Sequence, residues 1–170
     1  AKAFITSHYK AEQAAEILAG TPGVSLRLML DGSIPGYEGY EEAVSQQSSE
    51  ALPNRIAGTD MLYSSGTTGM PKGISKPFEN LSLDDSPIAI ASAMGMLFGV
   101  TQDSVYLSPA PMYHAAPLRW TMGAQGIGCT AVVMAQFDPQ QFLAAIEDNR
   151  VTHTQVVPTM FVRLLKTDIA

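Results

Sequence analysis

Short strand-like runs alternate with helix-like patterns along most of this 170-residue chain. Thr130 to Ala135 is a continuous apolar run with β-branched residues and is predicted to be a buried strand, whereas Phe142, Leu143 and Ile146 share one face at helical spacing. Such alternation is typical of a parallel or mixed sheet covered by helices. The sequence therefore predicts an α/β fold, with a mixed, largely parallel sheet flanked by helices. Further strands are predicted over Ala3–Thr6, Val24–Leu30, Ser104–Pro109 and Thr152–Val157, and further helices over His8–Ala19, Tyr40–Gln47 and from Pro158.

Prolines and apolar runs set expectations for three of the helices. Asp138 and Pro139 supply a capping residue and a first-turn proline for one helix. A helix from His114 to Gly123 is expected to be interrupted early by Pro117, because proline removes a hydrogen-bond donor. The run from Ile88 to Val100 is too short to cross a bilayer, so it is predicted to be a buried helix.

Composition narrows the classes of function. Hydrophobic residues make up 46% of the chain, which is enough for the core of one globular unit. Charged residues are only 15% and the net charge is −6, which disfavours nucleic acid as a partner. A single cysteine, Cys129, cannot form a disulfide within the chain, and this favours the cytoplasm. No transmembrane segment or signal peptide is predicted. Because the chain starts without methionine and stops just past a helical pattern, a fragment is expected.

The stretch YSSGTTGMPKGI, from Tyr63 to Ile74, is a candidate phosphate-binding loop. Its glycines can adopt positive φ and turn successive N–H groups into one anion-binding concavity, while its hydroxyls and the Lys72 ammonium suit phosphate oxygens. The loop lies between two extended segments, and Pro71 precedes the lysine, so it is not the P-loop that opens a helix. Composition alone favours an ordinary turn between strands. The candidate ligands are Ser64, Ser65, Gly66, Thr67, Thr68, Gly69 and Lys72.

Ser64 to Gly73 resembles the phosphate-binding loop (S/T)SGTTGxPKG of the adenylate-forming superfamily, which includes acyl-coenzyme A synthetases, peptide-synthetase adenylation domains and beetle luciferases. A second segment, YLSPAPMYHAAPL from Tyr106 to Leu118, resembles the family pattern P-(L/M)-(Y/F)-H, with His114 as its histidine. Phe137 to Lys166 is similar to the helix, strand and helix that follow in acid–coenzyme A ligases. The resemblance begins near Asp60, and the preceding residues are merely compatible with it.

The resemblance implies that residues 1–170 are part of a large N-terminal adenylation domain, without the C-terminal domain. It implies an ATP-dependent acid–coenzyme A ligase that uses ATP, Mg²⁺ and coenzyme A. The apolar residues near the presumed pocket favour a fatty or other apolar carboxylic acid as the substrate. Lys72 would act on the phosphates, and His114 and Ala116 would border the acyl pocket. The magnesium ligand is expected beyond Ala170, so the metal ligands stay unknown and the fragment alone is expected to be inactive.

Several alternatives stay open. Without its motif, His114 would be interpreted as a histidine at a helix start, and Ala115–Pro117 replaces the glycine that many relatives carry nearby. Trp120 is interpreted as core in preference to pocket. The whole protein is alternatively an amino- or aryl-acid adenylation domain, or a nucleotide-binding module without catalysis. Structural roles are expected for His8, Cys129 and His153.

Overall fold

The architecture confirms the predicted α/β class, with parallel sheets flanked by helices. The computed structural model describes residues 1–63, 69–75, 77, 80–83 and 89–167. Within these residues the chain divides into two compact units, Ala1–Pro53 and the described residues from Asn54 onward, where one unit was expected. Residues 46–53, at the end of the first unit, are exposed and form no helix or strand.

The first unit is a three-stranded parallel sheet with two helices. Its strand order is β1-β2-β3, with Ala3 opposite Leu26 in the first pair. Its core is formed by Ala14, Met29 and Tyr37, and the Tyr37 hydroxyl donates a 3.0 Å hydrogen bond to the Ala14 carbonyl oxygen. The elements are β1 Ala3–Ser7, a 3₁₀ turn His8–Lys10, α1 Ala11–Leu18, β2 Leu26–Leu30, β3 Glu38–Gly39 and α2 Tyr40–Ser45.

The second unit carries both motifs of the sequence. Its elements are β4 Leu62–Tyr63, β5 Gly73–Ile74, α3 Ala89–Phe98, β6 Val105–Ser108, α4 Ala115–Ile127, β7 Thr130–Val133, α5 Pro139–Asp148, β8 His153–Thr154 and α6 Pro158–Leu165. Strands β4 and β5 form an antiparallel pair, and the other three form a parallel sheet in the order β7-β6-β8.

The connections of this sheet run over both of its faces. The chain moves from β6 through α4 to β7 on one side, then crosses through α5 to β8 on the other side. Right-handed crossovers in these opposite directions place α4 and α5 on opposite faces. In agreement, α3 packs against α4, and α5 packs against α6. The neighbouring strands β6 and β8 therefore send the chain to opposite faces at their carboxyl ends.

The core of the second unit lies between α3, α4 and β6. It consists of Met94, Val100, Tyr106, Ala124 and Cys129, and Ile90, Trp120 and Ile127 pack against it. Gly123 allows the two helices to approach closely. A Cβ at this position would lie 2.7 Å from Met94 Sδ and 2.9 Å from Ile90 Cγ2, which is inside van der Waals contact.

Helix α4 differs from its prediction. It runs without interruption from Ala115 to Ile127, so the expected early break at Pro117 was wrong. Pro117 is the third residue of the helix, where the backbone N–H has no intrahelical partner to lose. The proline ring therefore removes no hydrogen bond, and it is buried within the first turn.

Helix α3 and strand β7 are more exposed than predicted. Met94 is buried against α4, but Met96 and Leu97 lie outside that face and are 85% and 73% exposed. In β7 the pattern runs exposed, intermediate, intermediate, exposed, because the strand lies at an edge of the sheet formed by the described residues. An apolar run indicates what a segment can bury, and the neighbouring elements decide how much of it is buried. No helix among the described residues has the length and hydropathy needed to cross a bilayer.

Candidate functional site

The candidate phosphate loop is closed by a short antiparallel hairpin. Tyr63 pairs with Gly73, and Leu62 pairs with Ile74, so the loop begins and ends at neighbouring backbone positions. The prediction that the loop lies between extended segments is thereby confirmed. Ser64, Ser65, Gly66, Thr67 and Thr68 lie outside the described residues, and their roles stay predictions.

The described end of the loop includes Gly69 and Lys72. Gly69 has a φ of 153°, a backbone conformation that side-chain-bearing residues rarely adopt. Gly73 could also have adopted positive φ, but it does not. A Cβ there would lie 3.3 Å from Cε1 of the Tyr63 ring, so the close approach of that ring is what favours glycine. Lys72 is exposed and directly precedes β5, at the closing end of the loop.

A second antiparallel contact joins the chain segments that precede β4 and follow β5. Ile56 and Ser82 form a bridge, flanked by two backbone hydrogen bonds of 2.9 Å each. The chain segments before and after the loop are therefore held together at two levels.

His114 lies at the carboxyl end of the central strand β6, in the connection to α4. It is the N-cap residue of α4, with extended backbone angles, and its side chain makes no capping hydrogen bond. Its backbone N–H donates to Pro111 O at 3.1 Å, and its own carbonyl oxygen accepts from Leu118 N at 3.2 Å. In open α/β sheets, ligands bind outside the carboxyl ends of strands where neighbouring connections diverge to opposite faces. The connection that carries His114 begins at such a point.

The side chains around His114 are small or aromatic and face solvent. Ala115 and Ala116 are exposed, and Tyr113 is 80% exposed with its ring centroid 4.4 Å from that of the imidazole. The Ala-Ala-Pro sequence that replaces the glycine of many relatives builds a regular first helical turn. The imidazole and the phenol thus lie side by side just before α4, and two exposed methyl groups follow in its first turn.

The segment before His114 is fixed through a thioether. Met112 Sδ accepts from the Ser108 hydroxyl at 3.7 Å and from the Thr121 hydroxyl at 3.6 Å. Both hydroxyls are buried, one at the end of β6 and the other in α4. Because these are weak acceptor contacts, the position of Met112 depends on both of them together. The two contacts hold the β6–α4 connection against both β6 and α4.

Tyr106, in β6, has a buried hydroxyl. The side chain is fully buried, and its oxygen has no hydrogen-bond partner among the described residues. Burial raises the pKa of Tyr106 to about 12, and the neighbouring Ser108 side chain offsets part of that rise. The phenol is therefore neutral over the physiological pH range.

One ion pair joins the segment that leads into the hairpin to the helix that begins after His114. Arg119 Nη2 lies 2.8 Å from Asp60 Oδ2, and Arg119 Nε donates to the same oxygen at 3.0 Å. The side chains are 42% and 29% exposed, so the contact is half-buried. Sequence reasoning missed both residues, since a pair 59 positions apart carries no local pattern.

The side chains expected to be structural have structural contacts. Trp120 packs against the core, with its ring centroid 5.2 Å from that of Phe98, as expected. Cys129 is buried, and burial raises the pKa of its thiol, which favours the unreactive protonated form. His153 Nε2 lies 2.9 Å from the Phe98 carbonyl oxygen and its Nδ1 lies 2.8 Å from Thr152 Oγ1, so both ring nitrogens are engaged.

The described residues contain no group of three or more His, Cys, Asp or Glu side chains placed to hold a metal ion.

His8, which was expected to be structural, is exposed in the 3₁₀ turn of the first unit.

Comparison with known proteins agrees with the two motifs. The model of the family described as "AMP-binding enzyme" matches residues 1–170. The 2-succinylbenzoate–CoA ligase of Bacillus pumilus is 33% identical over 140 residues, which cover 79% of this chain and 27% of that protein. The 4-hydroxybutyrate–CoA ligase 2 of Metallosphaera sedula is 30% identical over 129 residues, covering 74% and 22%.

The solved structures include a neighbour with bound nucleotide. The ATP-bound crystal structure of MatB from Rhodopseudomonas palustris superposes with a TM-score of 0.67 at 26% identity, over 98% of this chain and 32% of that one. This chain therefore spans about a quarter to a third of the length of these proteins. With the family model matched along the whole sequence, the chain belongs to the AMP-binding enzyme family.

Proposed function

We propose that the protein containing this chain is an ATP-dependent acid–coenzyme A ligase, and that residues 1–170 are part of its large N-terminal domain. In the first half-reaction, a carboxylate oxygen of the acid attacks the α-phosphorus of ATP, the bond to the bridging oxygen breaks, and pyrophosphate leaves. In the second, the thiol sulfur of coenzyme A attacks the acyl carbon, AMP leaves with the bonding electrons, and the thiol proton is released. The family match and the names of the relatives support this proposal.

The observation that carries the proposal is the hairpin-closed loop. A carboxylate that approaches an anionic triphosphate is repelled, so donors and positive charge must be held in place before the reaction. The pairing of Tyr63 with Gly73 fixes both ends of the loop, and the positive φ of Gly69 uses the conformational freedom of glycine within it. Lys72, at the closing end, would bind the β- and γ-phosphates together with the loop hydroxyls. Bound Mg²⁺ would neutralise further phosphate charge.

We assign the acyl pocket to the start of α4, with His114 near the carboxylate and Ala116 near the acyl chain. The exposed methyl groups of Ala115 and Ala116 and the exposed Tyr113 ring are apolar groups of this segment, which favours a fatty or other apolar acid. The named acids of the relatives, 2-succinylbenzoate and 4-hydroxybutyrate, differ in size and polarity, so the acid series tested must include aryl and short hydroxy acids.

We also propose that the protein is cytoplasmic and that residues 1–170 alone are inactive. A buried, protonated thiol at Cys129 suits the reducing cytoplasm. Because the relatives are about three to four times longer than this chain, we expect residues 1–170 alone to form no acyl-adenylate.

The test is ATP–pyrophosphate exchange by the full-length protein, which reports acyl-adenylate formation without coenzyme A. At saturating acid, Lys72→Ala is expected to slow exchange by roughly 10²–10³, the effect of removing one key transition-state donor. Lys166→Ala, at an exposed lysine after α6, serves as the matched control and should leave the rate unchanged. An unchanged rate in Lys72→Ala removes this lysine from the mechanism, and absence of exchange with every acid rejects the proposed reaction.

A further inference from the structure

The contact between Asp60 and Arg119 lies close to both motif-bearing segments without being part of either motif. Asp60 is two residues before β4, whose pairing with β5 closes the candidate phosphate loop. Arg119 is four residues after Ala115, one helical turn from the start of α4. A side-chain contact between these two residues therefore connects the base of the hairpin to the first two turns of the helix.

The geometry of the contact is directional. Two different guanidinium nitrogens, Nε and Nη2, approach the same carboxylate oxygen at 3.0 and 2.8 Å. Such a fork fixes the orientation of the guanidinium plane as well as its distance, which a single ammonium group cannot do. The contact is also partly shielded from water, since Asp60 is 29% exposed. It is therefore better suited to hold an orientation than a fully exposed pair would be.

The proposed adenylation reaction depends on how these two segments are oriented. The acid carboxylate beside His114 must approach the α-phosphorus to about 3–3.5 Å in line with the leaving group, and a misplacement of about 1 Å can cost roughly 10² in rate. The two residue pairs of the hairpin and the Ile56–Ser82 bridge pair the chain segments before and after the loop with each other. The contact between Asp60 and Arg119 links the first of these segments to α4.

We propose that Asp60 and Arg119 are positioning residues for adenylation. Their ion pair would hold the phosphate-loop hairpin at a fixed position relative to α4, the helix that His114 caps. This inference rests on the proposed function. The pair belongs to neither motif, so its proposed effect is on the alignment of the motif residues.

A double-mutant cycle in the full-length protein tests the inference. Asp60→Asn and Arg119→Gln are each expected to lower kcat for ATP–pyrophosphate exchange about tenfold, with much smaller changes in KM for ATP and for the acid. The double variant should be no slower than the worse single variant, because one contact is lost in each case. Arg119→Lys keeps the charge but loses the fork, so an intermediate rate is expected.

Glu147→Gln, an exposed carboxylate-to-amide change in α5, is the matched control and should leave kcat unchanged. Thermal unfolding of every variant checks that the protein still folds. Independent losses that multiply in the double variant would overturn the inference, as would a fall in unfolding temperature with kcat retained.

Hydrogen exchange supplies a readout that does not depend on activity. Amide exchange of Tyr63, Gly73 and Ile74 should be several-fold faster in Asp60→Asn and in Arg119→Gln, and unchanged in Glu147→Gln. If the wild-type protein shows no pyrophosphate exchange, the proposed function fails while this measurement still decides the role of the pair. Equal exchange rates in all four proteins would overturn the inference even if the ligase reaction is confirmed.

Discussion

Replacement of Gly123 by alanine tests whether the contact between α3 and α4 is as close as the structure describes. A Cβ at this position would lie 2.7 Å from Met94 Sδ, 2.9 Å from Ile90 Cγ2 and 3.4 Å from the Ala91 backbone nitrogen. The Met94 side chain is fully buried among Val100, Tyr106 and Ala124, so it has little space into which it can move. The added methyl group must therefore push the two helices apart or force a strained rotamer.

Two opposing terms set the size of the effect. Alanine is favoured over glycine in the interior of a helix by about 1 kcal/mol. Inserting a methyl group into a filled core costs about 1–3 kcal/mol. The net expectation is that Gly123→Ala lowers the free energy of unfolding by about 1 kcal/mol, although propensity alone predicts a gain.

Gly95→Ala is the matched control because it is also an interior helical glycine, in α3. Its Cβ would meet only the Val100 carbonyl oxygen, at an ordinary 3.7 Å, so helix propensity should dominate and raise stability by about 1 kcal/mol. Urea unfolding of the full-length protein, followed by circular dichroism, should separate the two variants by about 2 kcal/mol. If both variants are equally stabilised, the close helix contact at Gly123 is refuted.

Two further changes have defined outcomes. Tyr106→Phe removes a buried hydroxyl that has no partner among the described residues, so stability at neutral pH should be unchanged or slightly higher. Because the folded pKa of about 12 lies above the ordinary value of 10.0, the phenol contributes stability below pH 10 that is lost as the pH rises toward 12, at about 1.4 kcal/mol per pH unit. Alkaline unfolding should therefore be shallower in the phenylalanine variant, and equal pH profiles would contradict the burial. Ala116→Trp in the full-length protein should shift the exchange rates toward shorter acids across a chain-length series, and an unchanged series would place the pocket elsewhere.

Features with a local cause were predictable from the sequence. Asp138 caps α5 by accepting a 2.9 Å hydrogen bond from the Gln141 backbone N–H, as the Asp-Pro pair predicts. The extended flanks of the glycine-rich loop were also predictable, because glycine and proline mark chain reversals independently of the rest of the fold. The α/β class followed from alternation of strand and helix patterns, which local residues determine.

Features that depend on distant neighbours were not predictable. The exposure of Met96 and Leu97 depends on which face of α3 meets α4, and an apolar run carries no such information. The supposed break at Pro117 depended on where α4 begins, and a shift of a few residues turns an interior proline into a first-turn proline. Asp60 and Arg119 form a pair only after the chain has folded.

The thioether clamp around Met112 makes the neighbourhood of His114 chemically vulnerable. Oxidation of this sulfur to the sulfoxide would replace a weak, polarisable acceptor with a strong polar S–O group between the buried hydroxyls of Ser108 and Thr121. The extra oxygen needs space where strand end and helix now meet, so the chain next to it must shift and carry Tyr113 with it. Oxidation of this one side chain by peroxide would in this way displace the imidazole two residues further on.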